Sequence, residues 1–349
     1  MAKAKRISGM KCDGPATTGI KQVLVTRFEE LHGWRDAALD WTDPEGVHSM
    51  RVASRRLRSA LRDFMPYVRK RNLTPAFKKL KDVADALGRV RDLDVAILAL
   101  EEIEKQAPPK LSGGVKQFVD KQREVRERAR KNLKATLRKS ELKQLKSEFQ
   151  GGIDKATASA ESPLTFADVS RTVILERLRE FERLTNGLFK PLDAEALHEL
   201  RIAVKRLRYA VELFQQCWSR AISASAKRAA RIQSALGDLH DCDVWIDTLG
   251  TQISDARKQK DEQYVAALVW LLTHFIKLRT KHLRRALLHW RGWERHDTSG
   301  RLRTVLNEKP RVTRSRRKKE IAATQAPEVE TERVEEAVTI VAPEEILPA

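Results

Sequence analysis

Two stretches of the chain decide its fold: HSMRVASRRLRSALRDF at residues 48–64 and HELRIAVKRLRYAVELF at residues 198–214. In both, polar positions recur at spacings of 3, 4, 3 and 4 residues, which places them within about 80° on one side of a helix. Apolar residues fill the opposite side. We call the two rows the first stripe and the second stripe. Their positions are His48, Arg51, Arg55, Arg58 and Arg62, and His198, Arg201, Lys205, Arg208 and Glu212. A one-sided row of cations that occurs twice indicates a long, negatively charged ligand.

A second motif repeats further along each half. LGRVRDLDV at residues 87–95 matches LGDLHDCDV at residues 236–244. Asp94 and Asp243 of these motifs fall on the apolar side of the predicted helices, where a carboxylate is costly unless it is paired. We predict that they fix arginines on the flanks of the stripe helices, Arg56 and Arg206 respectively. An ion pair that only joins two helices is the alternative.

Arg91 and His240 occupy the same position of the repeated motif, and we predict that they too support the stripes from a second layer of contacts. The pair His240–Asp241 is also typical of metal-dependent phosphohydrolases. Arginine is not a metal ligand in ordinary proteins, and Arg91 stands where the first copy would need one. The sequence therefore predicts no metal site.

Composition restricts the class of partner. The 349 residues carry a formal net charge of +20, and 33% of them are charged, so nucleic acid, anionic membrane and polymeric phosphate are the expected ligands. Cys12, Cys217 and Cys242 are too few and too scattered for a disulfide framework or a four-ligand zinc site. No secretory signal and no run of 18 apolar residues occurs, so a cytoplasmic protein without a membrane span is expected.

Helical periodicity dominates the chain, and the fold predicted is all-α, with two tandem four-helix bundles related by an internal pseudo-twofold duplication. Helices are predicted at about 18–40, 44–69, 75–105 and 114–148, at about 164–189, 193–218, 223–250 and 258–291, and in a short piece near 296–307. The predicted organisation is a flexible N-terminus at 1–17, a first repeat at 18–150, a linker at 151–163, a second repeat at 164–307, and a disordered, basic-then-acidic tail at 308–349.

The pattern H-x-x-R-x-x-x-[RK]-R-L-R, followed after some thirty residues by LG-x-x-[RH]-D-x-D-V, resembles the CHAD family, the conserved histidine α-helical domain. The resemblance implies two helical bundles with a basic surface or pore that binds inorganic polyphosphate, and an association with polyphosphate granules. The chain shows no E-x-E-x-K strand typical of a CYTH domain and so resembles a stand-alone CHAD protein. The ligand-binding positions that it implies, together with Arg62 from the stripe, are His48, Arg51, Arg55, Arg56, Arg58, His198, Arg201, Lys205, Arg206 and Arg208.

The function predicted is non-catalytic binding of polyphosphate, without a cofactor. Nucleic acid is the main alternative, because counterion release favours any polyanion on a basic surface, although no aromatic residues interleave the stripes for base stacking. An accessory role in a polyphosphate-metabolising enzyme is a further alternative. Catalysis by the chain itself is not expected, because no phosphate loop G-x-x-x-x-G-K-[ST] occurs. The sequence leaves the oligomeric state open. If His48 and His198 titrate near neutrality, binding tightens as pH falls.

Overall fold

The structure of the protein, a computed structural model, describes residue 5 and residues 7–158 and 163–311. Within these ranges the regular structure is helical, with one isolated β-bridge between Pro15 and Thr165, so the all-α prediction is confirmed. No helix in the described part is long and apolar enough to cross a membrane. Nearly all of the predicted disordered tail, including the basic run after Arg311, lies outside the described residues.

Eleven α-helices are described, joined by short 3₁₀ turns at residues 65–67, 70–72 and 185–189. They are α1 Ala16–Gly33, α2 Arg35–Ala38, α3 Pro44–Phe64, α4 Thr74–Glu104, α5 Pro109–Thr136, α6 Lys139–Ala158, α7 Phe166–Leu184, α8 Ala194–Phe214, α9 Ile222–Lys258, α10 Glu262–Arg295 and α11 Thr298–Asn307.

The two stripe helices, α3 and α8, begin in the same way. Asp43 accepts a hydrogen bond from the backbone N–H of Glu45, and Asp193 accepts one from the backbone N–H of Ala196. Each carboxylate satisfies a donor that the first helical turn leaves without an intrahelical partner. The N-caps therefore fix where each stripe starts.

Helices pack in the same order in both halves: α1 on α3, α3 on α4 and α4 on α5, and likewise α7 on α8, α8 on α9 and α9 on α10. The apolar sides of α3 and α8 are buried as predicted, with Leu57 and Leu207 fully inaccessible. One continuous hydrophobic core joins the halves through α1, α3, α7 and α8, and a second cluster lies where α4 and α5 meet α9 and α10. The internal duplication is compatible with this order and stays a prediction.

The predicted linker is partly helical. Gly151 and Gly152 lie inside α6, which runs on to Ala158, and the predicted helix 114–148 is divided between α5 and α6. A side chain at Gly152 would meet the carbonyl oxygen of Asn72 at 2.6 Å. The glycine thus permits a close approach of α6 to the preceding 3₁₀ turn rather than marking a flexible connection.

The prediction of a flexible N-terminus is wrong for the described residues from 7 onward. Ile7, Met10 and Cys12 are buried, and Cys12 forms a disulfide with Cys217 across 205 positions of sequence. The backbone of this segment also pairs with the start of α7, where Ala167 donates to the carbonyl of Cys12 at 2.8 Å. The number and spacing of the cysteines did not predict this disulfide, and its presence removes the support that so few cysteines gave to the expectation of a cytoplasmic protein.

Candidate functional site

The polar sides of α3 and α8 open onto one shared cavity of about 890 Å³, which we call the cleft. Five stripe cations line it, namely Arg51, Arg55 and Arg58 from the first stripe and Arg201 and Lys205 from the second. The remaining walls come from α4 and α5. The convergence of the stripes that the resemblance implied is therefore observed, because α3 packs directly against α8.

Three acidic side chains also line the cleft, Asp82, Asp85 and Asp92. The Nη1 of Arg51 donates to Oδ1 of Asp92 at 2.6 Å, and the guanidinium of Arg58 lies 3.8 Å from the carboxylate of Asp85. Both carboxylates are more than half exposed. Exposed ion pairs contribute little to stability, so a polyanion can replace these acids at small cost.

Lys205 is the most strongly perturbed cation of the cleft. Burial, followed by the charges of Arg55 and Arg201, lowers its pKa from 10.5 to about 7. Burial also lowers the pKa of Arg201, although the neighbouring Asp241 opposes the shift. A group of cations held this close together is under mutual repulsion, and a bound anion would relieve it.

The stripe histidines do not line the cleft. The pKa of His48 is lowered by burial and by Arg91, and that of His198 is lowered by burial and by Arg201. The ring of His198 lies 4.7 Å from that of His240 between centroids, and their Nδ1 atoms are 3.4 Å apart. The pKa values of both histidines are therefore lower than the ordinary value of a histidine.

A further acid of the repeated motif, two residues before Asp94 and Asp243, lies close to a stripe arginine, which the sequence analysis overlooked. Asp92 bonds Arg51, and Asp241 lies close enough to Arg201 to influence its pKa. Burial and the negative charge of Asp92 raise the pKa of Asp241 to about 6. The signal was present, because residues two apart on a helix lie on different sides, so an acid two residues before Asp94 could not share its apolar side.

The predicted partners of Asp94 and Asp243 are wrong. Asp94 pairs with Arg130 on α5 at 3.3 Å, and Asp243 accepts a hydrogen bond from Nε of Arg279 on α10 at 2.5 Å. The reason is that these acids face the next helix in the hairpin, α5 or α10, rather than the stripe helix behind them. They tie helices together, as the alternative in the sequence analysis stated. Arg91 and His240, by contrast, do lie beside the stripe histidines.

Arg56 and Arg206 are also turned away from the cleft. Arg56 donates to Glu30 on α1 at 2.9 Å, and Arg206 donates to Glu180 on α7. Each glutamate is shared with a second arginine one turn earlier on its own helix, Arg27 and Arg177 respectively. These repeated groups of two arginines and one glutamate join α1 to α3 and α7 to α8.

The far end of the second stripe is neutralised. Nε of Arg208 donates to Oε1 of Glu212 at 2.6 Å, and Nη1 reaches Oε1 of Gln233 at 3.4 Å. Arg62, at the matching end of the first stripe, does not line the cleft, and burial together with Arg206 lowers its pKa. The second stripe is therefore the shorter of the two within the cleft.

Among the residues that the structure describes, no group of three or more His, Cys, Asp or Glu side chains is arranged to hold a metal ion. Cys242, the cysteine outside the disulfide, is buried, and burial raises the pKa of its thiol to about 12.

The fold and the cleft define an all-helical protein in which two related helices present cations to one cavity. The particular family follows from comparison: the CHAD domain model matches residues 22–250, well over half of the chain, and the protein belongs to the CHAD family. The resemblance noted in the sequence is thereby confirmed.

A curated protein and a solved structure are also similar to this chain. The chain is 24% identical over 281 residues to Uncharacterized protein Rv2226 of Mycobacterium tuberculosis (strain ATCC 25618 / H37Rv), covering 77% of this chain and 53% of that protein. The chain thus spans about half the length of this curated relative. The crystal structure of the CHAD domain from the plant Ricinus communis superposes with a TM-score of 0.65 at 22% identity, covering 88% of this chain and 98% of that one.

A second solved structure, PptA from Streptomyces chartreusis, has a TM-score of 0.60 at 14% identity, with 80% of this chain and all of that chain covered. At these identities both structural likenesses establish the fold alone. The properties of the cleft must therefore be argued from the residues of this chain.

Proposed function

We propose that this protein binds inorganic polyphosphate in the cleft between α3 and α8, without catalysis. The observation that carries the proposal is the convergence of five stripe cations on one cavity of about 890 Å³. Membership of the CHAD family supports the choice of ligand. We further propose that the protein associates with polyphosphate granules through this site.

The geometry of α3 suits an extended ligand. Arg51 and Arg58 lie seven residues apart, which is about 10 Å along a helix. Arginine meets phosphate oxygens with two parallel hydrogen bonds and keeps its charge at any working pH. Arg55 lies between them on the same side of the helix, so a phosphate chain that follows α3 meets a cation at each turn.

The second stripe adds two cations, Arg201 and Lys205, to the lining of the same cleft. Arg201 and Lys205 are half-buried, and the Nε atoms of Arg201 and Arg58 are buried without a hydrogen-bond acceptor among the described residues. Buried donors without partners are costly, and phosphate oxygens would satisfy them. The cleft is thus better suited to a ligand than to remaining empty.

Polyphosphate is favoured over nucleic acid by the lining of the cleft. Among the described residues, no aromatic side chain on which a base could stack lines the cleft. The ring of Tyr209 lies outside this lining, with its centroid 5.9 Å from the guanidinium of Arg55. A ligand without bases makes full use of such a surface, whereas a nucleic acid would gain only its phosphate contacts.

The test is a competition assay at physiological salt in which labelled long-chain polyphosphate is displaced by unlabelled polyphosphate, duplex DNA or RNA at matched charge. We expect polyphosphate to compete best. Equal competition by duplex DNA would refute the specificity that we propose. Arg55→Ala and Arg201→Ala should each weaken polyphosphate binding by about tenfold, the effect of one lost charge-assisted contact.

A matched control removes the same charge elsewhere. Arg257 is exposed near the end of α9, 14 residues and therefore about 21 Å along the helix from Asp243. Arg257→Ala should leave binding nearly unchanged. A loss equal to that of Arg201→Ala would mean that net charge, and not the cleft, governs affinity.

A further inference from the structure

A second basic concavity lies outside the cleft. Because α9 and α10 are consecutive, tightly connected helices that pack along their length, the start of α9 lies beside the end of α10. A groove of about 360 Å³ opens there, and no residue lines both this outer groove and the cleft. Its polar lining consists of Lys227, Arg228, Arg231, His289, Arg295 and His296.

The charges of the outer groove are not neutralised by the described part of the chain. Among the described residues, no carboxylate lies within 4.0 Å of the charged nitrogens of four of these side chains, Lys227, Arg228, Arg231 and Arg295. Arg228 and Arg295 also lower the pKa of His296, and Arg231 contributes to lowering that of His289. An ordinary solvated helix surface mixes charges of both signs, whereas this concave one carries a single sign.

The corresponding place in the first half carries a different set of charges. At the offset of 149 that relates the two repeated motifs, Lys79 corresponds to Arg228 and Asp82 to Arg231. Lys79 pairs with Glu148 on α6 at 2.7 Å, and Gln144 donates to the same carboxylate at 2.8 Å. In the first half α6 thus neutralises the cation at this position, while Asp82 lines the cleft. In the outer groove, Arg228 has no such acidic partner among the described residues, and the position of Asp82 is taken by a cation, Arg231.

We propose that the outer groove is a second phosphate-chain site, which binds a segment of inorganic polyphosphate of about triphosphate size independently of the cleft. The inference rests on the proposed function for the identity of the ligand. A volume of about 360 Å³ is at the lower end of the range of about 300–1,000 Å³ for ligand sites, which suits a short segment rather than a folded chain. A protein with two sites can hold one long polyphosphate at two points, or two chains at once.

Substitution of glycines that line the two sites tests the proposal without changing core residues. Gly292 lines the outer groove and Gly88 lines the cleft, and a side chain added at either would meet no heavy atom within 4 Å in the described part of the structure. Gly250, on the exposed side of α9, has the same freedom and lines neither site. Glutamate forms helices more readily than glycine, so these three substitutions should leave the fold intact.

The experiment is calorimetric titration of the full chain with inorganic tripolyphosphate, using Gly88→Glu, Gly292→Glu and the control Gly250→Glu. We expect Gly292→Glu to weaken one class of sites by about tenfold or more, as one lost charge-assisted contact would, and to leave the other class unchanged. We expect Gly88→Glu to do the reverse. The double variant Arg228→Ala/Arg231→Ala should repeat the effect of Gly292→Glu.

The outcomes separate the two proposals. If Gly88→Glu alone reduces binding, the outer-groove inference is overturned while the proposed function stands. If Gly292→Glu alone reduces binding, the proposed function fails and the outer groove is the phosphate site. If Gly250→Glu reduces binding as much as Gly292→Glu does, added negative charge explains the loss and the inference is overturned.

Discussion

Replacing Lys205 by methionine should stabilise the protein while weakening its binding to polyphosphate. Burial and neighbouring arginines lower the pKa of this lysine from 10.5 to about 7 in the folded chain, so the unfolded chain binds more protons between these values. The contribution of Lys205 to the free energy of unfolding therefore rises as pH increases from about 7 to about 10.5, and the charged form is unfavourable below about pH 7. The difference between the pKa values of 10.5 and about 7 corresponds to at most about 5 kcal/mol of unfolding free energy, and the partial exposure of the side chain reduces this figure.

We expect Lys205→Met to raise the free energy of unfolding by about 2–3 kcal/mol near pH 6, and by about half as much near pH 9, where the native lysine is already largely neutral. The assay is denaturant unfolding at both pH values, with a polyphosphate titration on the same samples. Lys116→Met, at an exposed position of α5, is the control and should change neither quantity. Equal or lower stability of Lys205→Met near pH 6 would refute the argument from charge repulsion. Unchanged polyphosphate affinity would refute the assignment of the cleft.

Three other predictions follow from named contacts. Binding of a polyanion should raise the pKa of Lys205, so polyphosphate affinity should fall by up to about tenfold per pH unit above about pH 7. Titrations with polyphosphate between about pH 7 and pH 9 should show this slope. Lys205→Arg should remove most of the pH dependence. Asp94→Asn weakens the ion pair with Arg130 and should lower the free energy of unfolding by about 2 kcal/mol, while polyphosphate affinity of the same preparation stays unchanged. A loss of polyphosphate affinity would mean that Asp94 does act on the cleft. Cys217→Ser removes the disulfide to Cys12 and should lower the free energy of unfolding by up to about 5 kcal/mol, because the bond closes a long loop in the unfolded chain. The loss is measurable as a lower Tm. A Tm that matches the unsubstituted protein in both oxidising and reducing buffer would show that the bond is not formed.

Much of the fold was predictable because its signals are local. The spacing of cations in the two stripes, the Asp–Pro start of α3 and the alternation of apolar residues depend only on helical periodicity and capping. The positions of α3, α4, α8 and α9 accordingly agree with the sequence to within a turn at most ends. The glycines of α6 misled the prediction, because Gly152 serves a close helix contact that no local pattern reveals.

Partner choice could not be predicted in the same way. Asp94 was correctly expected to be buried and paired, but the choice between an arginine on α3 and one on α5 depends on which helix its side of α4 faces. Likewise the flexibility expected of the N-terminus ignored Cys217, which lies 205 residues away from Cys12 and is brought beside it only by folding.

The sequence by itself determined that the chain is helical, that two helices carry a row of cations on one side, and that the family is CHAD, because each of these is written in spacings of a few residues. The tertiary structure decided which cations act together. It joined Arg51, Arg55 and Arg58 with Arg201 and Lys205 in one cleft and paired Arg56 and Arg206 with glutamates on neighbouring helices. It also formed the outer groove between the start of α9 and the end of α10. The physical reason is that electrostatic interaction depends on distance and burial, which helix packing sets and residue order along the chain does not.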